Sequence, residues 1–418
     1  MSLIWYGELS KNERRSFWAC LGGYTLDSLD SQMYALLAPL LITIVGFTKP
    51  EIGMLTTTGL IGNALGGWVA GVAADRFGRK RLLQITILWV AGFSGLAALC
   101  STHTEFFAVR FLQGMGFGGE AAVAGVLLGE VVRSHLRGRV VTGAQAGYGL
   151  GYALALIVMP ILFSMFEETI AWRIMFAVGA VPGVLALYVR KYVPESEAYE
   201  NLREERRAGA AVTPFWNIFD RANRRTSIFG VMLSTGILGG GFAIHAWLPT
   251  YLRLNLHLQV TKTAGYLALS VTGLILGPLI GGFISDRIGR RQTFLTLVPC
   301  HAAVVVALLF MQPSLTAVLF LILLQGTLQG ATAGTMLPTF SELFATDVRG
   351  TGVGFCITGG RGIGSVSTTA VGLLATTMPL NEAMGTCTLS AFCLAILAAA
   401  FLPDRSGAAL MMHTAPAE

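Results

Sequence analysis

The sequence predicts an all-α membrane protein whose twelve transmembrane helices form two six-helix bundles. Three observations predict this fold: 54% of the 418 residues are hydrophobic and only 12% are charged, twelve long apolar stretches follow one another, and a charged loop motif occurs twice. Charged residues make up about a quarter of an ordinary soluble domain. The lipid bilayer is therefore the expected surroundings of this chain.

Each apolar stretch is close to the ~20 residues that a helix needs to cross a bilayer, where every peptide group must be hydrogen-bonded within the helix. The first stretch is expected to be retained rather than cleaved as a signal peptide, because Asp27 and Asp30 lie where a signal peptide is most apolar. The twelve stretches lie near residues 17–43, 52–74, 82–100, 103–130, 140–165, 171–189, 226–252, 262–284, 293–311, 314–343, 350–376 and 382–402.

One long polar segment divides the chain between the sixth and seventh stretches. It runs from Arg190 to Arg225, and its run PESEAYENLREERR is typical of an amphipathic surface linker. We therefore expect an N-terminal bundle over residues 1–189, a cytoplasmic linker over 190–225, and a C-terminal bundle with a short cytoplasmic tail over 226–418.

The positions of Lys and Arg predict the orientation in the membrane. Alternate loops are rich in them, whereas the loops on the opposite side carry only Lys49, Arg173, Arg253 and Lys262. The positive-inside rule then predicts cytoplasmic termini. The same distribution accounts for the net charge of +6 without a nucleic-acid partner.

The loop motif reads GVAADRFGRKR over Gly71 to Arg81 and GFISDRIGRRQ over Gly282 to Gln292, about half the chain apart, as a duplicated six-helix unit requires. At the cytoplasmic ends of helices, these charges can pair with a helix terminus or with one another and so hold a gate in the outward-open state. The alternative, that the arginines only set topology, leaves the repeated Asp and Gly unexplained. The candidate gating residues are Gly71, Asp75, Arg76, Arg79, Gly282, Asp286, Arg287 and Arg290.

These loops resemble the signature of the major facilitator superfamily. RFLQGMGFGGE (Arg110 to Glu120), AWRIMF (Ala171 to Phe176) and VPESEAY (Val193 to Tyr199) resemble its fourth-helix motif and the start and exit of its sixth helix. The resemblance implies the major facilitator fold in a bacterial inner membrane, with one chain forming a complete pathway and so functioning as a monomer.

Two further segments resemble a subgroup of that superfamily. DSLDSQMYALLAP (Asp27 to Pro39) is similar to the first helix of aromatic acid/proton symporters and of sialate/proton and lactate-type symporters, with Ser28 in place of the usual glycine. GGRGIGS (Gly359 to Ser365) resembles the Arg-containing eleventh helix of the aromatic acid group. The resemblance implies proton-coupled uptake of a small organic anion.

The acidic residues of the first stretch are candidates for proton coupling. Asp27 and Asp30 are three residues apart and so share a helix face. Two neighbouring carboxylates in a low dielectric do not both ionise cheaply, so at least one is expected to hold a proton near neutral pH. The alternative is that Asp27 hydrogen-bonds a neighbouring helix and Asp30 anchors a structural ion pair. Arg110, which stays charged and needs an anion, and Glu120 of the fourth stretch complete this candidate set, although either can serve packing instead.

Arg361 is the first candidate for recognising an acidic substrate. It lies ~16 Å from the cytoplasmic end of its stretch, at a depth similar to that of Asp30, and a guanidinium there can bind a carboxylate in bidentate fashion. A permanent salt bridge to Asp27 or Asp30 is the alternative. Side chains that can hydrogen-bond or stack on a solute, but that also hold helices together, are Tyr34, His245, Trp247, Gln325 and Gln329.

The sequence predicts no enzyme, metal site or cofactor. The six cysteines lack paired spacing and a nearby His cluster, and no nucleophile is accompanied by a base. This argues against a membrane-embedded transferase, and the short tails argue against a solute sensor. The alternatives that remain are a proton symporter of a sugar acid, sialic acid or short monocarboxylate, a pH-independent facilitator, and an exporter.

Overall fold

A computed structural model describes residues 4–133, 136, 140, 143–144, 146–181, 183–193, 195, 215–221, 223–344 and 348–403. Every regular element within these ranges is helical. In the first half they are α1 (Ile4–Glu8), α2 (Lys11–Leu40), α3 (Lys49–Phe77), α4 (Arg79–Ala97), α5 (His103–Val131), α6 (Gly147–Met165), α7 (Glu168–Val178) and α8 (Gly183–Tyr192). In the second half they are α9 (Arg224–Thr250), α10 (Val260–Ile288), α11 (Arg290–Phe310), α12 (Leu315–Leu343), α13 (Arg349–Gly364), α14 (Val366–Leu374) and α15 (Leu380–Phe401).

Each of the twelve predicted stretches coincides with helix in the described part of the chain. Within that part, nine helices are long and apolar enough to cross a membrane by length and composition. The predicted fold class, an all-α membrane protein, is confirmed. The helices α3 and α4, and the pair α13 and α14, fall outside the nine although they occupy predicted positions.

Two predicted stretches are each made of two helices rather than one. The sixth, 171–189, is divided into α7 and α8 by a break that begins at Gly179, and the eleventh, 350–376, is divided into α13 and α14 at Ser365. The eleventh break directly follows the turn that carries Arg361. Apolar periodicity does not register such breaks, because both halves remain apolar.

The two halves of the chain repeat local backbone features as well as the loop motif. The helices α2 and α9 each have a proline as their next-to-last residue and then widen into a π-helical turn, with Pro39 before Leu41–Val45 and Pro249 before Tyr251–Asn255. In the loop motifs, Gly78 has φ of 94° and Gly289 has φ of 89°. Side chains rarely tolerate that backbone region, which explains why each motif has glycine there.

The described chain forms two compact units. The first comprises Met1–Thr48, Leu55–Ala211 and His257–Ala264, and the second comprises Lys49–Met54, Val212–Leu256 and Gly265–Glu418. The predicted domain boundaries at 189, 190–225 and 226 stay predictions, because most of the linker lies outside the described residues.

Close helix pairs in each unit depend on small residues. In the first unit, Gly62 and Gly66 of α3 lie directly against backbone carbonyls of α5, and in the second unit Gly273 and Gly277 of α10 lie in the same way against α12. A side chain at any of these positions would overlap the facing backbone. The contacts bring α5 and α12, which carry candidate site residues, close to their neighbours.

Candidate functional site

Asp30 of α2 is the centre of a buried polar network in the first unit. Its carboxylate has no exposed surface. Ser94 of α4 donates its hydroxyl to Oδ1, and Gln113 of α5 donates its side-chain amide to Oδ2. Side chains from three helices thus meet at one carboxylate, whose two oxygens each receive a hydrogen bond.

Arg110 of α5 joins this network through Gln113. The guanidinium is 4% exposed, and its Nη1 donates to Gln113 Oε1 at 3.2 Å. Its Cζ lies 3.9 Å from the centroid of the Tyr34 ring, which is close enough for a cation–π contact. We call Asp30, Ser94, Gln113, Arg110 and Tyr34 the Asp30 network. Tyr34, a candidate for contact with substrate, is 4% exposed and lies beneath the guanidinium.

Asp27 and Glu120 form a second acidic group, the Asp27–Glu120 pair. Asp27 of α2 is 6% exposed and Glu120 of α5 is 3% exposed. Their carboxyl groups lie within hydrogen-bonding range of each other. Among the described residues, Asp27 Oδ1 and Glu120 Oε1 receive no hydrogen bond from any donor. Asp27 therefore has Glu120 of α5 as a neighbouring acid in addition to Asp30 on its own helix.

Three glycines leave the space that these charged side chains occupy. A Cβ added at Gly59 of α3 would lie 2.5 Å from Arg110 Nε, and one at Gly23 of α2 would overlap the Glu120 carboxyl. One added at Gly179 would overlap Ser94 and Asp30. The buried charged side chains thus fit between the helices because glycines beside them leave room.

In the second unit, α9 and α12 bring together amide and imidazole groups. Gln329 of α12 donates to the Ile237 carbonyl at 3.4 Å, and its amide fills the space beside Gly241. Ile237, Gly241 and His245 follow one another at intervals of four on α9, so His245 lies on the face that Gln329 contacts. Gln325 lies one turn from Gln329 and accepts from Ser270 at 3.3 Å.

Several polar atoms on this face are buried without a hydrogen-bond partner among the described residues. They are His245 Nε2, Gln325 Nε2 and Gln329 Oε1. Buried polar groups in proteins are nearly always paired, so such atoms call for a water or a ligand. We call these three residues the α9–α12 polar face.

Trp247 and Arg361 have different surroundings in the second unit. Trp247 has no exposed surface, and its indole N–H donates to the Thr368 carbonyl at 3.0 Å, which packs it between helices. Arg361 is half-buried in the last turn of α13, beside the break before α14. Contact of either residue with a solute stays a prediction.

The first loop motif is bonded to the end of α5 by an ion pair that was not predicted. Arg79 is 3% exposed and bonds Glu130 at 3.1 Å. Glu195 accepts from the backbone N–H groups of Arg79 and Lys80 at the start of α4, where a carboxylate complements the helix dipole. The side chains of Asp75 and Arg76 lie outside the described part of the structure, and Gly71 faces open space.

The second loop motif repeats this arrangement at the end of α12. Arg290 bonds Glu342 at 2.9 Å and Asp286 at 2.7 Å. Arg287 is exposed and lies 4.1 Å over the Phe283 ring, while Gly282, like Gly71, has open space beside it. Each motif thus fixes the loop to the end of a helix within its own unit, and a gating role stays a prediction.

Comparison with known proteins identifies the family. The model of the Major Facilitator Superfamily matches residues 20–369. The chain belongs to this superfamily. It is therefore a multi-pass membrane transporter rather than an enzyme, as the sequence motifs predicted.

Individual relatives span most of the transporter. A probable 4-methylmuconolactone transporter of Cupriavidus pinatubonensis is 37% identical over 416 residues, which cover 97% of this chain and 94% of that protein. The cis,cis-muconate transport protein of Acinetobacter baylyi is 29% identical and covers 78% of each chain. The xylose transporter of E. coli, in a partially occluded inward-open conformation, shares the fold with a TM-score of 0.75 at 17% identity, over 95% of this chain and 99% of that one.

Several residues of the transporter's site were absent from the sequence prediction. Ser94 and Gln113 are common residue types in membrane helices, and nothing in the sequence distinguishes them. Glu130 and Glu342 could have been found from the sequence, because they occupy equivalent positions in the two repeats, at the ends of α5 and α12. Matching the repeats beyond the loop motif would have found them.

Proposed function

We propose that the transporter takes up a small organic acid together with a proton by alternating access. The observation that carries this proposal is the set of buried acids on α2 and α5, among which Asp27 Oδ1 and Glu120 Oε1 have no donor in the described part of the chain. Buried ionisable residues inside a membrane bundle are costly to maintain, and they mark proton and substrate pathways.

The second unit supplies groups suited to an organic anion. Its α9–α12 polar face has unpaired hydrogen-bonding atoms, and Arg361 carries a positive charge at the end of α13. A carboxylate can pair with the guanidinium while its other polar atoms satisfy the amides. The names of the relatives that transport 4-methylmuconolactone and cis,cis-muconate support an organic acid or lactone as the cargo.

The proposed setting is a bacterial inner membrane with both termini in the cytoplasm. Its support is the concentration of Lys and Arg in alternate loops, which by the positive-inside rule face the cytoplasm. In this orientation the inward proton gradient of a bacterial cell drives uptake. One chain is proposed to be sufficient, because it contains both repeats.

Purified protein in liposomes tests the proposal. A pH gradient with the more acidic side outside is imposed, and the reversed gradient serves as the control. Under each gradient, the uptake of labelled aromatic acids, muconolactones, sialic acid and short monocarboxylates is measured. We expect accumulation of at least one organic acid above its outside concentration when the outside is more acidic, and loss of that accumulation with a protonophore.

Two other outcomes of this assay would indicate a facilitator or an exporter instead. Equilibration without accumulation at any pH gradient would indicate a passive facilitator. Accumulation only with the reversed gradient would indicate export by antiport. Either result would contradict proton-coupled uptake.

A further inference from the structure

The two acidic groups of the first unit differ in what stabilises them. Asp30 receives a hydroxyl and an amide hydrogen bond, one on each oxygen, and the guanidinium of Arg110 is joined to it through Gln113. A carboxylate with two donors and a nearby cation is stabilised in its charged form. These partners favour the charged form of Asp30 against the cost of its burial.

The Asp27–Glu120 pair lacks these stabilising groups. Carboxylate oxygens only accept hydrogen bonds, so two carboxyl groups in contact attract each other only when one of them carries a proton. Asp27 Oδ1 and Glu120 Oε1 have no other donor among the described residues, and both side chains are more than nine-tenths buried. A proton is thus the missing partner that completes this contact.

Among the described residues, no basic side chain donates to Asp27 Oδ1 or Glu120 Oε1. The titratable groups that face it are Cys20 and Asp30, and Tyr24 lies beside it with its hydroxyl donated to the Ala121 carbonyl. Next to the pair along the chain, the neighbours are neutral: Leu185 of α8 lies beside Gly22, and Ala70 of α3 and Thr86 of α4 lie beside Gly119.

We infer that the transported proton is held between Asp27 and Glu120, and that Asp30 is the fixed counter-ion of Arg110. This inference rests on the proposed proton-coupled uptake and assigns the proton within it. Loss of the proton leaves two carboxylates in contact between α2 and α5, and their repulsion opposes the packing of Glu120 against Gly23. The protonation state of the pair thereby controls how closely these two helices approach.

Three variants separate the two acidic groups in the liposome assay. Glu120→Gln and Asp27→Asn replace one acid of the pair by a neutral amide that can donate to the other, as the protonated acid does. We expect both variants to keep the exchange of labelled for unlabelled substrate at equal pH. We expect both to lose the accumulation of substrate that a pH gradient drives. In the wild type, coupling to one proton limits that accumulation to about tenfold per pH unit of gradient. In Asp30→Asn, exchange is expected to slow, and the remaining uptake is expected to respond to pH.

Glu167→Gln is the matched control. Glu167 is an exposed carboxylate before α7 whose side chain makes no cap hydrogen bond, so its variant should accumulate substrate as the wild type does. Accumulation at the wild-type level by Glu120→Gln would overturn the inference while leaving proton-coupled uptake intact. Loss of exchange in both neutral variants would also overturn it, since an amide is expected to reproduce the protonated pair. A wild-type protein that never accumulates substrate would instead refute the proposed function and the inference with it.

Discussion

The substitution Gly59→Ala tests whether the transporter depends on the placement of the Arg110 guanidinium. The added Cβ would lie 2.5 Å from Arg110 Nε and 3.1 Å from its Cδ and Cζ, whereas ordinary contact begins near 3.4 Å. The side chain would have to withdraw by about 1 Å. Its position is held by Gln113 at 3.2 Å and by the Tyr34 ring at 3.9 Å, so such a shift disrupts one of these contacts.

The expected cost follows from overpacking of a buried site. Such strain typically costs about 1–3 kcal/mol, which corresponds to about a 5- to 150-fold change if it falls entirely on one step of transport. The alanine also favours the helix by about 1 kcal/mol relative to glycine. The comparison therefore needs a second helical glycine at which only this gain applies.

Gly92→Ala provides that comparison. Gly92 lies in α4, is exposed, and has no atom within 4 Å of an added Cβ. Both variants are assayed for the initial rate of uptake in liposomes and for the midpoint of thermal unfolding in detergent. We expect Gly59→Ala to fall below Gly92→Ala in both measurements. Equal values for the two variants would refute the argument that Arg110 is held rigidly in this position.

Two further substitutions test the ion pairs and the anion site. Glu130→Ala should lower the free energy of unfolding more than Glu342→Ala does, because Arg79, the partner of Glu130, is 3% exposed whereas Arg290, the partner of Glu342, is 23% exposed, and a more buried ion pair costs more to break. Unfolding midpoints of the two purified variants check this, and the reverse order would contradict it. Arg361→Ala should weaken the inhibition of labelled substrate uptake by carboxylates far more than the inhibition by their neutral amide analogues. An equal loss for both would indicate a structural role for this arginine.

Much of the fold could be predicted from the sequence, because the bilayer imposes simple rules on composition. Apolar length alone placed all twelve stretches, and the repeated loop motif divided them into two halves. The break at Ser365 was not predicted, since an apolar helix interrupted by one turn keeps the same hydropathy. The start of α6 at Gly147, rather than near 140, falls in a region that is only partly described.

The candidate site could be predicted as a list of residues but not as a set of pairs. Asp27, Asp30, Arg110 and Glu120 stood out because charges inside apolar helices are rare. Which acid faces which partner depends on how α2 and α5 are rotated and shifted against each other, and that packing is set by contacts such as the one between Gly23 and Glu120. A single sequence contains no direct record of such contacts, so the closeness of Asp27 to Glu120 could not be predicted from it.

Proton movement driven by substrate tests the central claim most directly. Liposomes containing the transporter are held in weakly buffered medium with no pH gradient. An organic acid that the transporter accumulates is added outside, and the external pH is recorded and compared with that of protein-free liposomes. Proton-coupled uptake predicts a saturable alkalinisation of the medium, beyond the protein-free background, that is absent in Glu120→Gln. Entry of the labelled acid without any such alkalinisation would contradict the account.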